Sequence, residues 1–509
     1  MVKKGTLSFT NSGSAGAGLK GPVYFIGIKG TGMCALAELM HGLGYQVSGS
    51  DLNEVFYTDD ILTELGIPFH ESFEASHIRN AAPALVIYSA AYSPAGSASD
   101  TNPEITEAKR MGIPLLKYTD ALGVYSEGFD STGIAGVHGK TTTTALAGAI
   151  IQKLGLPAQV LAGSAVSAFK GRSTISLGNK YFIAETCEYQ RHFLSFRPKT
   201  IVLTSVESDH QDYYPCYEDI REAFLEYGRL LPPRGELIYC ADDPGAAEVA
   251  ETLKKEKPDL NLVPYGFNAP ADYGIKSYQV KDERLLIRLK GLACEVKLRV
   301  PGRHTALNTA GAIALCSSLL KKEFGEEGGE LWNDERKKCL ISALEEFRGS
   351  KRRSEILGEE EGILFMDDYA HHPTAISSTL EGLKEFYPRR RLVVSFMSHT
   401  YSRTAALLDE FSASFKKADI VFFHKIYSSA REFYTGALTG RALFEKTSEL
   451  PGVFPNSPQQ FFYADEIEDA FEPLTKILKA GDLFITMGAG DNWKLGKQLF
   501  DFYRKRAGE

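Results

Sequence analysis

Ile134-Ala135-Gly136-Val137-His138-Gly139-Lys140-Thr141-Thr142-Thr143-Thr144 decides the fold. A short apolar strand runs into a Gly-rich turn, and a helix is expected over about 141–154. Backbone N–H groups in such a turn cradle phosphate oxygens, and the helix N-terminus adds a positive dipole. Gly136, Val137, His138 and Gly139 form the cradle in this reading. Lys140 reaches the β/γ-phosphates, Thr141 offers a hydroxyl to Mg²⁺, and Thr142 completes the turn. The full pattern GxxxxGK[ST] needs a glycine at 134, where this chain has Ile134. A plain strand–helix turn with a surface lysine is the blander alternative.

Strands alternate with helices outward in both directions, which predicts mainly parallel sheets with crossover helices. Upstream, strands are expected at Val23–Ile26, 46–48 and 84–88 around a helix over 33–42. The polar run YSEGFDSTG (124–132) reads as a boundary. Downstream, strands are expected at 181–184, 200–203 and 237–240, with an antiparallel hairpin over 285–289 and 295–300. A helix follows over about 305–321, an acidic Gly-rich loop over 322–330, and another helix to about 346. A third stretch, from near Phe347, carries strands at 363–366, 392–396, 420–423 and 483–486. The 509 residues thus divide into a flexible arm (1–20) and domains over 21–126, 127–346 and 347–509.

A second Gly-rich turn, Gly27-Ile28-Lys29-Gly30-Thr31-Gly32, also joins a strand to a helix. Its order is GxxGxG and not the dinucleotide order GxGxxG, which disfavours a nicotinamide cofactor. Asp51 lies 19 residues past Gly32, near the second strand's end, where an acidic residue can accept bonds from a ribose. A nucleotide diphosphate suits the turn, and a simple tight turn is the alternative. Two acidic clusters follow strands: Ala184-Glu185-Thr186-Cys187-Glu188 and Glu207-Ser208-Asp209-His210-Gln211-Asp212. Glu185 and His210 are the candidates for a metal site, against the alternative of solvated acidic loops. Asp367-Asp368-Tyr369-Ala370-His371-His372-Pro373-Thr374 reads either as a ligand-contacting loop or as a helix N-cap with exposed histidines. Lys351-Arg352-Arg353 offers an anion clamp or a solvated face; Arg389-Arg390-Arg391 reads as surface.

With 57 basic and 65 acidic residues the net charge is −8, which argues against nucleic acid as a partner. No apolar run reaches the roughly 18–20 residues of a membrane helix, so no membrane insertion is expected. The seven scattered cysteines form no CxxC and suit reduced thiols in a cytoplasm.

These motifs, in this order, resemble the Mur ligase family, the ATP-dependent amide-forming enzymes of peptidoglycan precursor synthesis. The resemblance covers nearly the whole chain. It rests on GIKGTGM (27–33), SGSD (48–51), NPE (102–104), VHGKTTTT (137–144), AETCEYQRHFLSFRP (184–198), RHTALNT (303–309), DDYAHHPT (367–374), SHTYSRT (398–404), SSARE (428–432) and GDLFITMGAGD (481–491). It implies an α/β fold of three domains: a Rossmann-like N-terminal domain, a P-loop mixed-sheet ATPase central domain, and a Rossmann-like C-terminal domain that closes over the site. It implies ATP and Mg²⁺ as cofactors, with UDP-N-acetylmuramate and L-alanine as substrates, in a monomer or homodimer.

By the same resemblance Lys140, Glu185, His210 and Arg352 are catalytic, and Thr141, Glu185 and His210 serve the metal. Asn308, Arg352, Arg353 and Asp368 join the phosphate loop at ATP. Gly27, Gly30, Thr31, Gly32, Asp51, His371 and His372 contact the other substrates. Ser205, Thr305, Ala375 and Met397-Ser398 depart from the family pattern. Two other readings are a ligase that recycles a preformed tripeptide onto the same UDP sugar and a P-loop nucleotide switch.

Overall fold

The computed structural model describes residues 19–92, 102–211, 213–325, 331–428, 438–450 and 460–507. Most of the N-terminal arm, Asp212 and nearly all of the SSARE motif lie outside them.

The chain forms two compact units. The first comprises residues 1–206, 221–264 and 311–331, and the second 207–220, 265–310 and 332–509. The first unit holds a parallel five-stranded sheet of β1 (Val23–Ile26), β2 (Val47–Ser50), β3 (Phe69–His70), β4 (Leu85–Tyr88) and β5 (Leu115–Lys117), in the order β3-β2-β1-β4-β5. Val23–Ile26 is buried throughout, so its apolar run does not alternate, as expected of a central parallel strand. Tyr24, Ile26 and Val86 pack with Ile78, Ile105 and Ala108 from the helices. Order reverses around β1, so the crevice beyond the carboxyl ends of β1 and β4 is where a ligand is expected.

The second sheet comprises β6 (Asp130–Ala135), β7 (Ala158–Val166), β8 (Arg172–Ser176), β9 (Tyr181–Glu185), β10 (Thr200–Leu203), β11 (Glu236–Cys240) and β12 (Asn261–Tyr265). Its order is β12-β11-β10-β6-β9-β7-β8, with β8 antiparallel to β7. The phosphate-loop helix, Lys140–Leu154, follows β6. The polar run 124–132 spans the join of a helix to β6. A helix continues to Glu127 and β6 begins at Asp130. Its two serines are buried and bonded internally: Ser126 donates to the Gly123 carbonyl and Ser131 to that of Ser126.

In the second unit β13 (Ile275–Lys281), β14 (Arg284–Leu289) and β15 (Glu295–Leu298) form an antiparallel sheet, one strand more than the expected hairpin. The long helix runs Arg303–Phe324, so residues 322–324 are helical and not loop. The fourth sheet comprises β16 (Glu355–Glu360), β17 (Ile363–Asp368), β18 (Arg391–Phe396), β19 (Ile420–Phe423), β20 (Gln460–Tyr463) and β21 (Asp482–Met487), ordered β16-β17-β21-β18-β19-β20. It is parallel except at β16. Its core gathers Phe365, Val393, Phe422, Phe484, Leu495 and Leu499. The Arg389–Arg391 run is not wholly surface: Arg391 clasps the buried Asp482 carboxylate through two nitrogens, at 2.9 and 2.7 Å.

Candidate functional site

The phosphate loop leaves β6 at Ala135. Gly136 and Gly139 take φ of +138° and +84°, conformations that a side chain rarely adopts. The loop is strapped from behind by the segment after β10. Val137 N–H donates to the Ser205 carbonyl at 3.0 Å and His138 N–H to Ser205 Oγ at 2.8 Å, while Thr204 Oγ1 donates to the His138 carbonyl at 2.5 Å. Ser205, a departure from the family pattern, thus works as a strut of the loop. Thr142 and Lys140 lie in the first turn of the helix that Gly139 caps.

Lys140 Nζ donates to both oxygens of Glu188, at 3.0 and 2.8 Å, and to the carbonyls of Gly136 and Val137. Burial opposes its charge, but Glu188, Cys187 and Glu185 hold its pKa above the usual lysine value. Thr141 Oγ1 lies 3.0 Å from Glu185 Oε1, and Glu185 Oε2 accepts from Gly163 N–H at 2.7 Å. Hydroxyl and carboxylate oxygens beside a phosphate cradle are the hard donors that Mg²⁺ prefers, so Thr141 and Glu185 fit that ion.

The first glycine turn is built on the same plan and used differently. Gly27 has φ +87°, and the helix Thr31–Gly42 starts after Gly30. Lys29 turns inward. Its Nζ bonds Glu71 at 3.0 Å, lies 3.3 Å from Asp59 Oδ2, and donates to the Glu54 carbonyl at 2.9 Å. Asp51 accepts from Lys29 N–H at 2.7 Å, from its neighbour Leu52 N–H, and from Tyr92 Oη at 2.6 Å. Its carboxylate, 3% exposed, holds the turn together and has little capacity left for a ribose. Gly30, Thr31 and Gly32 remain on the face of the turn. They line one wall of a cavity of about 340 Å³ whose far wall carries Gly163, Glu185 and Cys187. One cavity therefore runs from the first glycine turn to Glu185, the partner of Thr141.

In the second unit, Arg403 clasps Asp209 Oδ1 through Nε and Nη2, at 2.9 and 2.8 Å. Burial would raise the Asp209 carboxyl, but Arg403, with His210, His371 and His372, holds it far below the usual range. His210 stands beside this pair in a positive-φ conformation of +53°, a strained backbone of the kind found at functional positions. His371 and His372 join the same cluster. Burial, then Arg403, lowers His371 well below its usual value, and burial also lowers His372. His372 caps the helix Pro373–Phe386, and Thr374 Oγ1 reaches Glu207 at 3.0 Å.

Arg352, at φ +59°, is committed inside this unit: Nε to Asp367 at 2.9 Å and Nη2 to the Gly488 carbonyl at 2.7 Å. Arg353 faces the Tyr369 ring at 5.1 Å. Asp368 accepts from Ser354 N–H and Ala370 N–H, at 2.6 and 2.7 Å. Burial raises its carboxyl against the pull of Arg353. Asn308 is 7% exposed on the long helix. Thr305 turns its hydroxyl back to the Pro301 carbonyl at 2.7 Å, four residues earlier and just before the helix.

The structure places Lys140, Thr141 and Glu185 close together and adds Glu188 and the Asp209–Arg403 pair, which the sequence motifs do not single out. Arg403 was visible within SHTYSRT, but no spacing links it to a residue 194 positions away. All seven cysteines are free thiols, and no helix among the described residues is long and apolar enough to cross a membrane.

Comparisons with known proteins follow this geometry. Residues 22–130 match the family described as "Mur ligase family, catalytic domain", 134–316 "Mur ligase middle domain", and 352–490 "Mur ligase, glutamate ligase domain". The chain is 50% identical over 504 residues to the UDP-N-acetylmuramate–L-alanine ligase of Treponema pallidum, covering 99% of this chain and 100% of that one. It is 36% identical over 475 residues to that of Borreliella afzelii, covering 93% and 97%. Among solved structures, the UDP-N-acetylmuramate–alanine ligase of Thermotoga maritima superposes with a TM-score of 0.71 at 24% identity, covering 96% of this chain and 100% of that one. A murein peptide ligase of Psychrobacter arcticus does so at 0.61 and 23%, covering 95% and 99%. At these identities the structures speak for the fold.

Proposed function

The chain belongs to the Mur ligase family, and from that premise we propose that it is an ATP-dependent ligase joining L-alanine to the carboxylate of UDP-N-acetylmuramate. The observation that carries the reading is the single cavity leading from the first glycine turn to Glu185, beside Thr141. A nucleotide sugar with its diphosphate at Gly30–Gly32 would extend its muramoyl carboxylate toward the phosphate loop. The match of full-length relatives that carry this activity in their names supports the choice of amine.

The chemistry follows from the substrate. A carboxylate is a poor acyl donor, so its oxygen attacks the γ-phosphorus of ATP, the β–γ bridging bond breaks, and ADP leaves. The acyl phosphate that results carries a good leaving group. The deprotonated amine of L-alanine attacks its carbonyl carbon, a tetrahedral intermediate forms, and inorganic phosphate departs. Such transfer is governed by positioning and electrostatics. Lys140 and the loop N–H groups hold the phosphates. Thr141 and Glu185 would hold Mg²⁺, which when bound neutralises phosphate charge. Asn308, Arg353 and Asp368 are assigned to ATP, and Arg352 supports them through Asp367. His210 is assigned to metal binding, and His371 and His372 to the amino-acid substrate.

In this reading 21–126 serves the UDP sugar, 127–346 ATP and 347–509 the amine. The enzyme works in the cytoplasm, as a monomer or homodimer, in the peptidoglycan precursor synthesis on which cell shape and division depend. The test is phosphate release from ATP and Mg²⁺ with UDP-N-acetylmuramate and one amine at a time. L-alanine is expected to support turnover. Turnover with a preformed tripeptide and none with L-alanine would overturn the proposal, as would ATP hydrolysis indifferent to the sugar.

A further inference from the structure

We propose that Tyr118 is the hydrogen-bond donor that fixes the nucleotide-sugar substrate between the first glycine turn and Glu185. The inference rests on the functional reading above and adds a contact residue to it. Tyr118 opens the helix Tyr118–Glu127, directly after β5. Its phenol lies against the opening turn of the helix Thr31–Gly42. A Cβ placed on Gly32 would meet Tyr118 Oη at 2.8 Å and Cζ at 2.9 Å. Glycine at 32 is therefore what admits the phenol. Both residues line the 340 Å³ cavity, with Glu185 and Cys187 across it.

The other tyrosines of this region spend their hydroxyls on the protein. Tyr24 donates to Glu104, Tyr57 to Thr31, Tyr92 to Asp51 and Tyr125 to Gln159. Among the described residues, none bonds the Tyr118 hydroxyl. It opens instead into a space bounded by N–H groups at one end and a carboxylate at the other. Burial, and then Glu185, push its pKa well above the usual phenol range. A phenol is protonated near neutral pH and can donate to a ligand oxygen. The ligand atom that suits it is an anionic oxygen, on the diphosphate or on the muramoyl carboxylate. A bond from a neutral donor to a charged oxygen is worth roughly 10- to 100-fold in affinity.

Tyr118→Phe in the full chain keeps the ring on Gly32 and removes only the donor. Titration with UDP-N-acetylmuramate in the absence of ATP is expected to show affinity weakened at least about 10-fold. The KM for ATP and the KM for L-alanine should stay within about twofold of wild type. Gly32→Ala, which drives a methyl into the phenol, should weaken the same affinity, so the assignment does not depend on one variant. A wild-type chain that releases no phosphate with UDP-N-acetylmuramate and L-alanine overturns the functional reading. In a wild-type chain that does turn over, an unchanged affinity in Tyr118→Phe overturns the Tyr118 assignment alone. Equal losses for ATP and for the sugar would overturn it too, marking a structural role.

Discussion

The two glycine turns, 27–32 and 136–139, follow parallel strands and open helices, and each carries a lysine. They differ in where that lysine goes. Lys29 lies inside its turn, and its ammonium is consumed by Asp59, Glu71 and the Glu54 carbonyl. Lys140 is the first helical residue after its turn, with a side chain 12% exposed against 0% for Lys29. Lys29 is fully enclosed; Lys140 is paired with Glu188 and the loop carbonyls but keeps partial exposure at the phosphate loop.

The largest effect should come from exchanging these roles. Lys140→Ala is expected to lower kcat by roughly 10³-fold, the cost of losing a preorganised charge on the transferring phosphoryl group. Lys29→Ala should lower kcat less than about 10-fold, as measured by phosphate release at saturating substrates. A comparable loss in both variants would erase the distinction between the turns.

Stability should rank the two lysines in the same order. Lys29→Ala leaves Asp59 and Glu71 without their cation, although Glu71 is half-exposed and recovers solvation. A loss of about 1–3 kcal/mol is expected in denaturant unfolding, and Lys140→Ala, which strands the 2%-exposed Glu188 carboxylate, should cost at least as much. A smaller effect tests the strap behind the second turn. Ser205→Ala removes the acceptor of His138 N–H, and the KM for ATP should rise about threefold to fivefold while that for the UDP sugar holds.

The smallest effect is one of pH. Both lysines have folded-state pKa values raised above the usual lysine value. Their ion pairs are therefore complete below that value and weaken only as pH climbs through the raised folded pKa. Between about pH 6 and pH 9 neither turn should contribute a lysine limb to the rate or stability profile. A limb near pH 8 that disappears in Lys140→Ala would contradict the buried pair with Glu188.

Sequence legibility followed the same division between local and distant. β1, β10 and β19 were located to the residue because they are buried over their whole length as continuous apolar runs. Strands that alternate or sit at sheet edges were missed: β8 (RSTIS), β13 (IKSYQVK), β16 (EILGEE) and β20 (QFFY). At the site, residues contiguous with a glycine turn were legible. Glu188, Arg403 and Tyr118 act through partners 48, 194 and 86 positions away and carry no local signature.

The central claim is that the two turns serve two ends of one reaction, the first the nucleotide sugar and the second ATP. Its most direct test is to titrate Lys140→Ala separately with UDP-N-acetylmuramate and with a non-hydrolysable ATP analogue in Mg²⁺. The sugar affinity should stay within about twofold of wild type while the analogue's falls by roughly 10- to 100-fold. Loss of both affinities together, or of the sugar's alone, would contradict the account.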